Sequence, residues 1–180
     1  MRWVTGGRVR ERAATDGDVL SSNDSIIGTD NLGLPSDLGI TPVERVLPVS
    51  VIVSTYNAEA WLEKVLHGYR HQTWPHFELI IADDGSRPST RALVERFAAG
   101  FPVPLRHVWH PDEGYRRQEI LNRAIPLAAH DYLLFTDGDC IPRRDFVQVH
   151  ARLAEPGRFL SGGYCKLGMA VSEAIEADDI

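Results

Sequence analysis

The residues best suited to chemistry lie in three short polar clusters. Asp137-Gly138-Asp139 is the sharpest, two carboxylates two residues apart directly behind the apolar run Tyr132-Leu133-Leu134-Phe135. Two such charges sit together cheaply only with a cation between them. The glycine between them lets the backbone approach a ligand closely. Carboxylate oxygens suit Mg²⁺ or Mn²⁺, ions that often complete their shell with substrate phosphates. The other clusters are Ser54-Thr55-Tyr56-Asn57 and Asp83-Asp84-Gly85-Ser86, each also behind an apolar run. One such aspartate is ordinary turn chemistry. Three clusters at equivalent places point to a shared ligand site.

The elements that must hold these clusters follow from the apolar pattern. Val49–Ser54, Phe77–Ala82, Leu105–Trp109 and Tyr132–Phe135 read as strands, the first nearly continuous in apolarity, as in a parallel sheet buried on both faces. Asn57 is placed to cap a helix from Ala58 to about Gln72, whose stripe is Leu62, Val65, Leu66 and Tyr69. Pro88 opens a second helix, to about Ala99, with Gly100 ending it. A third begins near Arg116, with Ile120, Leu121, Ala124 and Leu127 as its stripe and Pro126 to bend or end it. A fourth spans about Arg144–Ala154, and Phe159-Leu160-Ser161 reads as a short final strand. Strands alternating with helices predict an α/β fold with a mostly parallel sheet and right-handed crossovers. In such sheets ligands bind beyond the carboxyl ends of the strands, where the three clusters fall.

Composition narrows the possibilities. The chain has 180 residues, 43% of them hydrophobic, and a formal net charge of -6, so it lacks the basic field of a nucleic-acid binder. Only two of its 19 basic residues are lysines, Lys64 and Lys166. Two cysteines, Cys140 and Cys165, are too few to staple a secreted fold and fit a reducing, cytoplasmic location. No apolar run approaches the roughly 20 residues needed to span a bilayer, which leaves room only for peripheral association. Residues 1–47 hold six of the 15 glycines and no apolar period, and are expected to be a flexible extension ahead of a domain over 48–180.

The runs VSVIVSTYN (49–57), FELIIADDGS (77–86) and YLLFTDGD (132–139), with GYRRQEILN (114–122) between the last two, resemble the family 2 glycosyltransferases, which have the GT-A fold. The resemblance covers roughly 48–165. It implies a three-layer sandwich with a Rossmann-like nucleotide-binding half. It also implies transfer of a sugar, with inversion, from a nucleotide-diphosphate donor, a UDP-sugar by preference, to a hydroxyl of a glycan or glycolipid. Ser54 and Tyr56 would hold the base, with Tyr56 as a stacking face. Asp84 would accept a hydrogen bond from the uracil imide, while Asp83 would shape the turn. Asp137 would touch the ribose or the metal, and Asp139 would ligate the Mn²⁺ or Mg²⁺ that bridges the diphosphate. Arg116 would reach the pyrophosphate or the base, with Arg117 as the competing candidate, and Asn122 would tie a loop.

No motif marks the catalytic base. Glu173, Glu176, Asp178 and Asp179 lie in a polar tail, and the acceptor side of the domain is expected to be incomplete. Two other readings stand beside this one. A haloacid-dehalogenase-type phosphatase would use Asp137 as nucleophile and Asp139 as acid/base, although Lys166 is the only lysine downstream. The other is a non-catalytic sugar-nucleotide-binding remnant. His67, His71 and His76 lack acidic or thiol partners at matching spacing and read as surface. Cys140 reads as a small buried residue rather than a nucleophile, and Trp61, Trp74 and Trp109 as packing residues.

Overall fold

The computed structural model describes residues 2–5 and 46–175. Apart from Arg2–Thr5 and residues 46–47, the expected extension lies outside the described residues, as do Glu176, Asp178 and Asp179. The elements in chain order are β1 (Arg2–Thr5), β2 (Val49–Thr55), α1 (Glu59–Arg70), β3 (Phe77–Asp83), α2 (Pro88–Ala98), β4 (Leu105–Trp109) and α3 (Arg117–Ala124). After them come a 3₁₀ turn (Ile125–Leu127), β5 (Tyr132–Asp137), β6 (Cys140–Pro142), α4 (Phe146–Leu153), β7 (Gly163–Lys166) and α5 (Met169–Ala174).

The main sheet is wholly parallel, in the order β4-β3-β2-β5. Its two central strands, β2 and β3, are buried at every residue, as their continuous apolarity predicts. Alternation along the strands divides the core in two. Val49, Val51, Val53, Leu79 and Ile81 pack with Leu62, Leu66 and Tyr69 of α1, with Leu93 and Phe97 of α2, and with Phe146 and Val147 of α4. Ile52, Ile80 and Ala82 point to the other face and meet Ile120 and Ala124 of α3. The result is a three-layer α/β/α sandwich. The burial of the core stabilises it at roughly 25 cal/mol per Å² of apolar surface removed from water.

The winding places the site. From β2 the chain steps outward to β3 and then β4, with α1 and α2 on one face. It then returns by α3, on the opposite face, to lay β5 against the free side of β2. The direction of winding therefore reverses between β2 and β5, the place where ligands bind in open α/β sheets.

Four local expectations change. Asn57 does not cap α1. It takes φ 44°, its N–H donates to Ser86 Oγ (2.8 Å), and its Oδ1 accepts from Arg87 N (3.0 Å), so it ties two loops instead. The helix expected from Arg144 starts at Phe146, after Asp145, which is outside helical geometry (φ -100°, ψ 9°) and paired with the Arg143 guanidinium (3.0 and 2.5 Å). Phe159-Leu160-Ser161 forms no strand, and Phe159 is almost fully exposed. Strand β7 forms slightly later and pairs antiparallel with β1, which also runs parallel to β6 in a second, three-stranded sheet. That sheet needs residues 2–5, which no apolar period in the sequence marks.

Candidate functional site

Backbone register lines up the strand ends. Ser54 lies opposite Asp137, Thr55 opposite Asp83, and Asp83 opposite Trp109. Both flanking turns are fastened to the end of β2: Gly138 N donates to Ser54 O (2.8 Å), and Asp84 N to Thr55 O (3.0 Å). A Cβ at Gly138 would stand 3.0 Å from Ser54 O and 3.1 Å from Thr55 Cβ. Only glycine lets the Asp137–Asp139 turn lie this close to β2 without a shift of its neighbours.

Asp137 is held by two partners. Ser54 Oγ donates to its Oδ1 (3.1 Å), and Arg117 Nη2 reaches the same oxygen (2.5 Å). Arg117 Nε also donates to Ser54 Oγ (2.9 Å), so one guanidinium links the ends of β2 and β5. Its neighbour Arg116 behaves differently. The Arg116 guanidinium, with its side chain 45% exposed, pairs with Glu113 (2.7 Å) and Glu119 (3.2 Å), and only its backbone N–H turns inward, to Asp84. Of the two candidate arginines, the structure brings Arg117 to the Ser54–Asp137 pair.

Asp137, Asp139 and Cys140 offer ligand atoms that all lie within 4.8 Å of one another, and among the described residues no other such group occurs. The donor set fits a hard divalent cation. Burial, first, and the neighbouring Asp139 push the Cys140 thiol up to about 12, and the thiol donates to Asp139 Oδ1 (3.5 Å). The two carboxylates suit Mg²⁺ or Mn²⁺. The glycine cradle and Thr55 Oγ1, buried without a hydrogen-bond partner beside it, agree with a ligand approaching here. Asp139 and Asp137 are the residues that would hold the ion.

The two aspartates at the end of β3 are structural in different ways. Asp83, fully buried, accepts from Ser86 N (2.8 Å) and faces His107 Nε2 (2.9 Å), which shapes the turn. Asp84, 5% exposed, accepts from His110 Nε2 through Oδ1 (2.7 Å) and from Arg116 N through Oδ2 (3.0 Å). Both Asp84 oxygens are thus engaged within the protein. Gly85 takes φ 93°, and a Cβ there would meet the Asp112 backbone at 2.6 Å, so this glycine brings the two loops into contact. Across that contact Tyr56, half exposed, donates its hydroxyl to Asp112 Oδ2 (2.9 Å). Gly114 N, first, and then Tyr56 hold the Asp112 carboxyl below its usual range, and Asp112 in turn raises the Tyr56 phenol.

The contacts of Trp109, His107, His110 and Asp112 escape sequence reasoning. Trp109, expected to be a packing residue, is instead exposed and outside both core clusters, and it braces the Asp83–Ser86 loop by donating from Nε1 to Ser86 O (3.1 Å). The available signal was two histidines, one within β4 and one just beyond its end, for the two carboxylates of the Asp-Asp turn. Glu173 lies exposed on α5 and is not part of the Asp137–Asp139 group. A cavity of about 620 Å³ flanks β5 and reaches Asp137, with Tyr132, Phe135, Phe146, Phe159 and Tyr164 among its walls. No helix among the described residues is long and apolar enough to cross a membrane.

A parallel sheet whose winding reverses beside a carboxylate pair defines an α/β domain of the kind that takes ligands at its strand ends. Residues 50–163 match Glycosyl transferase family 2. The chain is 29% identical over 119 residues to a chondroitin synthase of Pasteurella multocida (strain Pm70), covering 66% of this chain and 12% of that protein. It is 34% identical over 92 residues to TuaG, a teichuronic acid biosynthesis glycosyltransferase of Bacillus subtilis (strain 168) that carries a putative designation, covering 51% of this chain and 35% of that one. Among solved structures it resembles the mannosyltransferase PcManGT of Pyrobaculum calidifontis in complex with GDP-Man and Mn²⁺. That likeness has a TM-score of 0.55 at 28% identity over 63% of this chain and 34% of that one. The chain belongs to glycosyl transferase family 2. It spans about a third or less of the length of these relatives. Family membership removes the ground for a haloacid-dehalogenase reading of Asp137 and Asp139.

Proposed function

We propose that this chain binds a nucleoside-diphosphate sugar, with Mn²⁺ or Mg²⁺, across the carboxyl ends of β2, β3 and β5, and serves transfer of the sugar to a hydroxyl of a glycan or glycolipid. The observation that carries the reading is the Asp137–Asp139 pair at the point where the sheet's winding reverses. The mannosyltransferase neighbour, with its GDP-Man and Mn²⁺, supports a nucleotide sugar and a divalent ion as the ligand pair.

The exposed Tyr56 ring is the face offered to a nucleobase. Asp84 supports that face indirectly, by fastening the loop to His110 and to the start of α3. Its base-reading role rests on the resemblance alone, and so does the preference for a UDP-sugar. Ser54 and Arg117 orient Asp137 toward the ribose or the ion, and Asp139 holds the ion. A divalent ion held there supplies positive charge against the diphosphate leaving group. Calorimetric titration with UDP and with GDP, each with and without Mn²⁺, tests the reading. Metal-dependent binding of either nucleotide supports it, and a preference for UDP supports the donor assignment. A folded chain that binds neither at millimolar concentration refutes it.

A further inference from the structure

We infer that Arg117 is a built-in counter-charge to the Asp137–Asp139 pair, which tunes the site to take a divalent ion together with a diphosphate rather than the ion alone. The inference rests on the donor-site reading above and deepens it. Arg117 opens the inward stripe of α3: Ile120, Leu121 and Ala124 follow at helical spacing, and Ile120 and Ala124 are buried against the sheet. Arg117 therefore stands where that stripe runs past the ends of the strands. Its guanidinium contacts Asp137 Oδ1 at 2.5 Å and Ser54 Oγ at 2.9 Å. The ligand atoms of Asp137 and Asp139 lie within 4.8 Å of each other, so the guanidinium also acts on the pair.

The charge arithmetic gives opposite signs for two ligands. Two carboxylates carry a formal charge of −2, and Arg117 leaves −1. A divalent ion then turns the site positive, and a diphosphate meets a net attraction. Without Arg117 the pair draws a free divalent ion more strongly, yet the loaded site is only neutral toward the diphosphate. A residue that merely braced the loop would weaken both ligands when removed. Arg117 is thus a positioning residue whose charge, beyond its hydrogen bonds, matters. Solvent reaches both partners, with side chains 36% and 41% exposed, so the effect is moderate.

The test measures two constants on the full chain: free Mn²⁺ binding by electron paramagnetic resonance, and UDP binding at saturating Mn²⁺ by calorimetry. Arg117→Gln is expected to bind free Mn²⁺ roughly three- to tenfold more tightly and UDP more weakly by a similar factor. Arg117→Lys, which keeps the charge, is expected to stay near wild type in both. Arg96→Gln, which removes the same charge from an exposed pair with Glu63 on α1, is expected to change neither. Weakening of both constants together in Arg117→Gln overturns the inference, as does Arg117→Lys behaving like Arg117→Gln. An Arg117→Gln chain that fails to fold also overturns it, by assigning Arg117 to stability. A wild-type chain that binds neither Mn²⁺ nor UDP refutes the donor-site reading itself, a result distinct from any failure of the variants alone.

Discussion

Asp139 and Asp83 are both strand-end aspartates, yet their surroundings separate their roles. Asp83 spends its oxygens on Ser86 N and His107, whereas Asp139 stands beside Asp137 with only the weak Cys140 thiol contact described. Asp139→Asn is accordingly expected to lower nucleotide affinity at least tenfold with Mn²⁺ present, and little without it. Asp83→Ala is expected to lower thermal stability by about 1–3 kcal/mol, because Ser86 N–H loses its partner in a buried turn; paired titrations and melts check both. The cysteines offer a second residue-scale check. Cys140 is buried with its thiol raised to about 12, and Cys165 is exposed. A thiol-disulfide reagent at pH 8 should label one thiol per native chain and two in denaturant. Which arginine enters the site was not legible in the sequence, since Arg116 and Arg117 are adjacent and only the helical phase of α3 separates them.

At the scale of elements, β5 is placed by a polar tie as well as by apolar packing. Glu78, buried in β3, accepts from Ser50 Oγ (2.6 Å) and from Ala129 N (2.5 Å), and His130 N donates to Ser50 Oγ (3.1 Å). The loop that leads into β5, and so into Asp137, is pinned across the sheet. Glu78→Ala should cost about 1–3 kcal/mol by denaturant unfolding, through the unpaired Ala129 N–H. Helix α4 carries a pH-dependent element. His150 packs edge-on to Phe146, and burial holds its imidazole below the ordinary value near 6.5. Below that ordinary value the unfolded chain takes up a proton that the folded chain resists, so stability falls as pH drops from about 6.5 toward the lowered folded value. His150→Phe should flatten that acid-side loss, measured as melting temperature against pH. The apolar periods announced β2 to β5 and α1 to α4 within a few residues. They could not announce β1, β6 and β7, because three- and four-residue strands leave no period to read.

At the scale of the molecule, the reversal of winding between β2 and β5 sets the turns after β3 and β5 on either side of the end of β2. The sequence made this legible in outline, since three polar clusters behind three apolar runs fall at equivalent strand ends in a parallel sheet. It did not reveal that Asp84 would be enclosed by His110 and Arg116 N, because that contact joins positions far apart in the chain. Family 2 membership and the sandwich agree with the site, while the acceptor and the catalytic base belong to no motif in the described residues. The most direct measurement is calorimetric titration of the folded chain with UDP and GDP, in Mn²⁺ and in chelator, alongside Asp139→Asn. The account predicts binding of at least one nucleotide that is strong in Mn²⁺, weak in chelator, and reduced by the substitution. Nucleotide binding unaffected by chelator and by Asp139→Asn, or no binding at all, would contradict it.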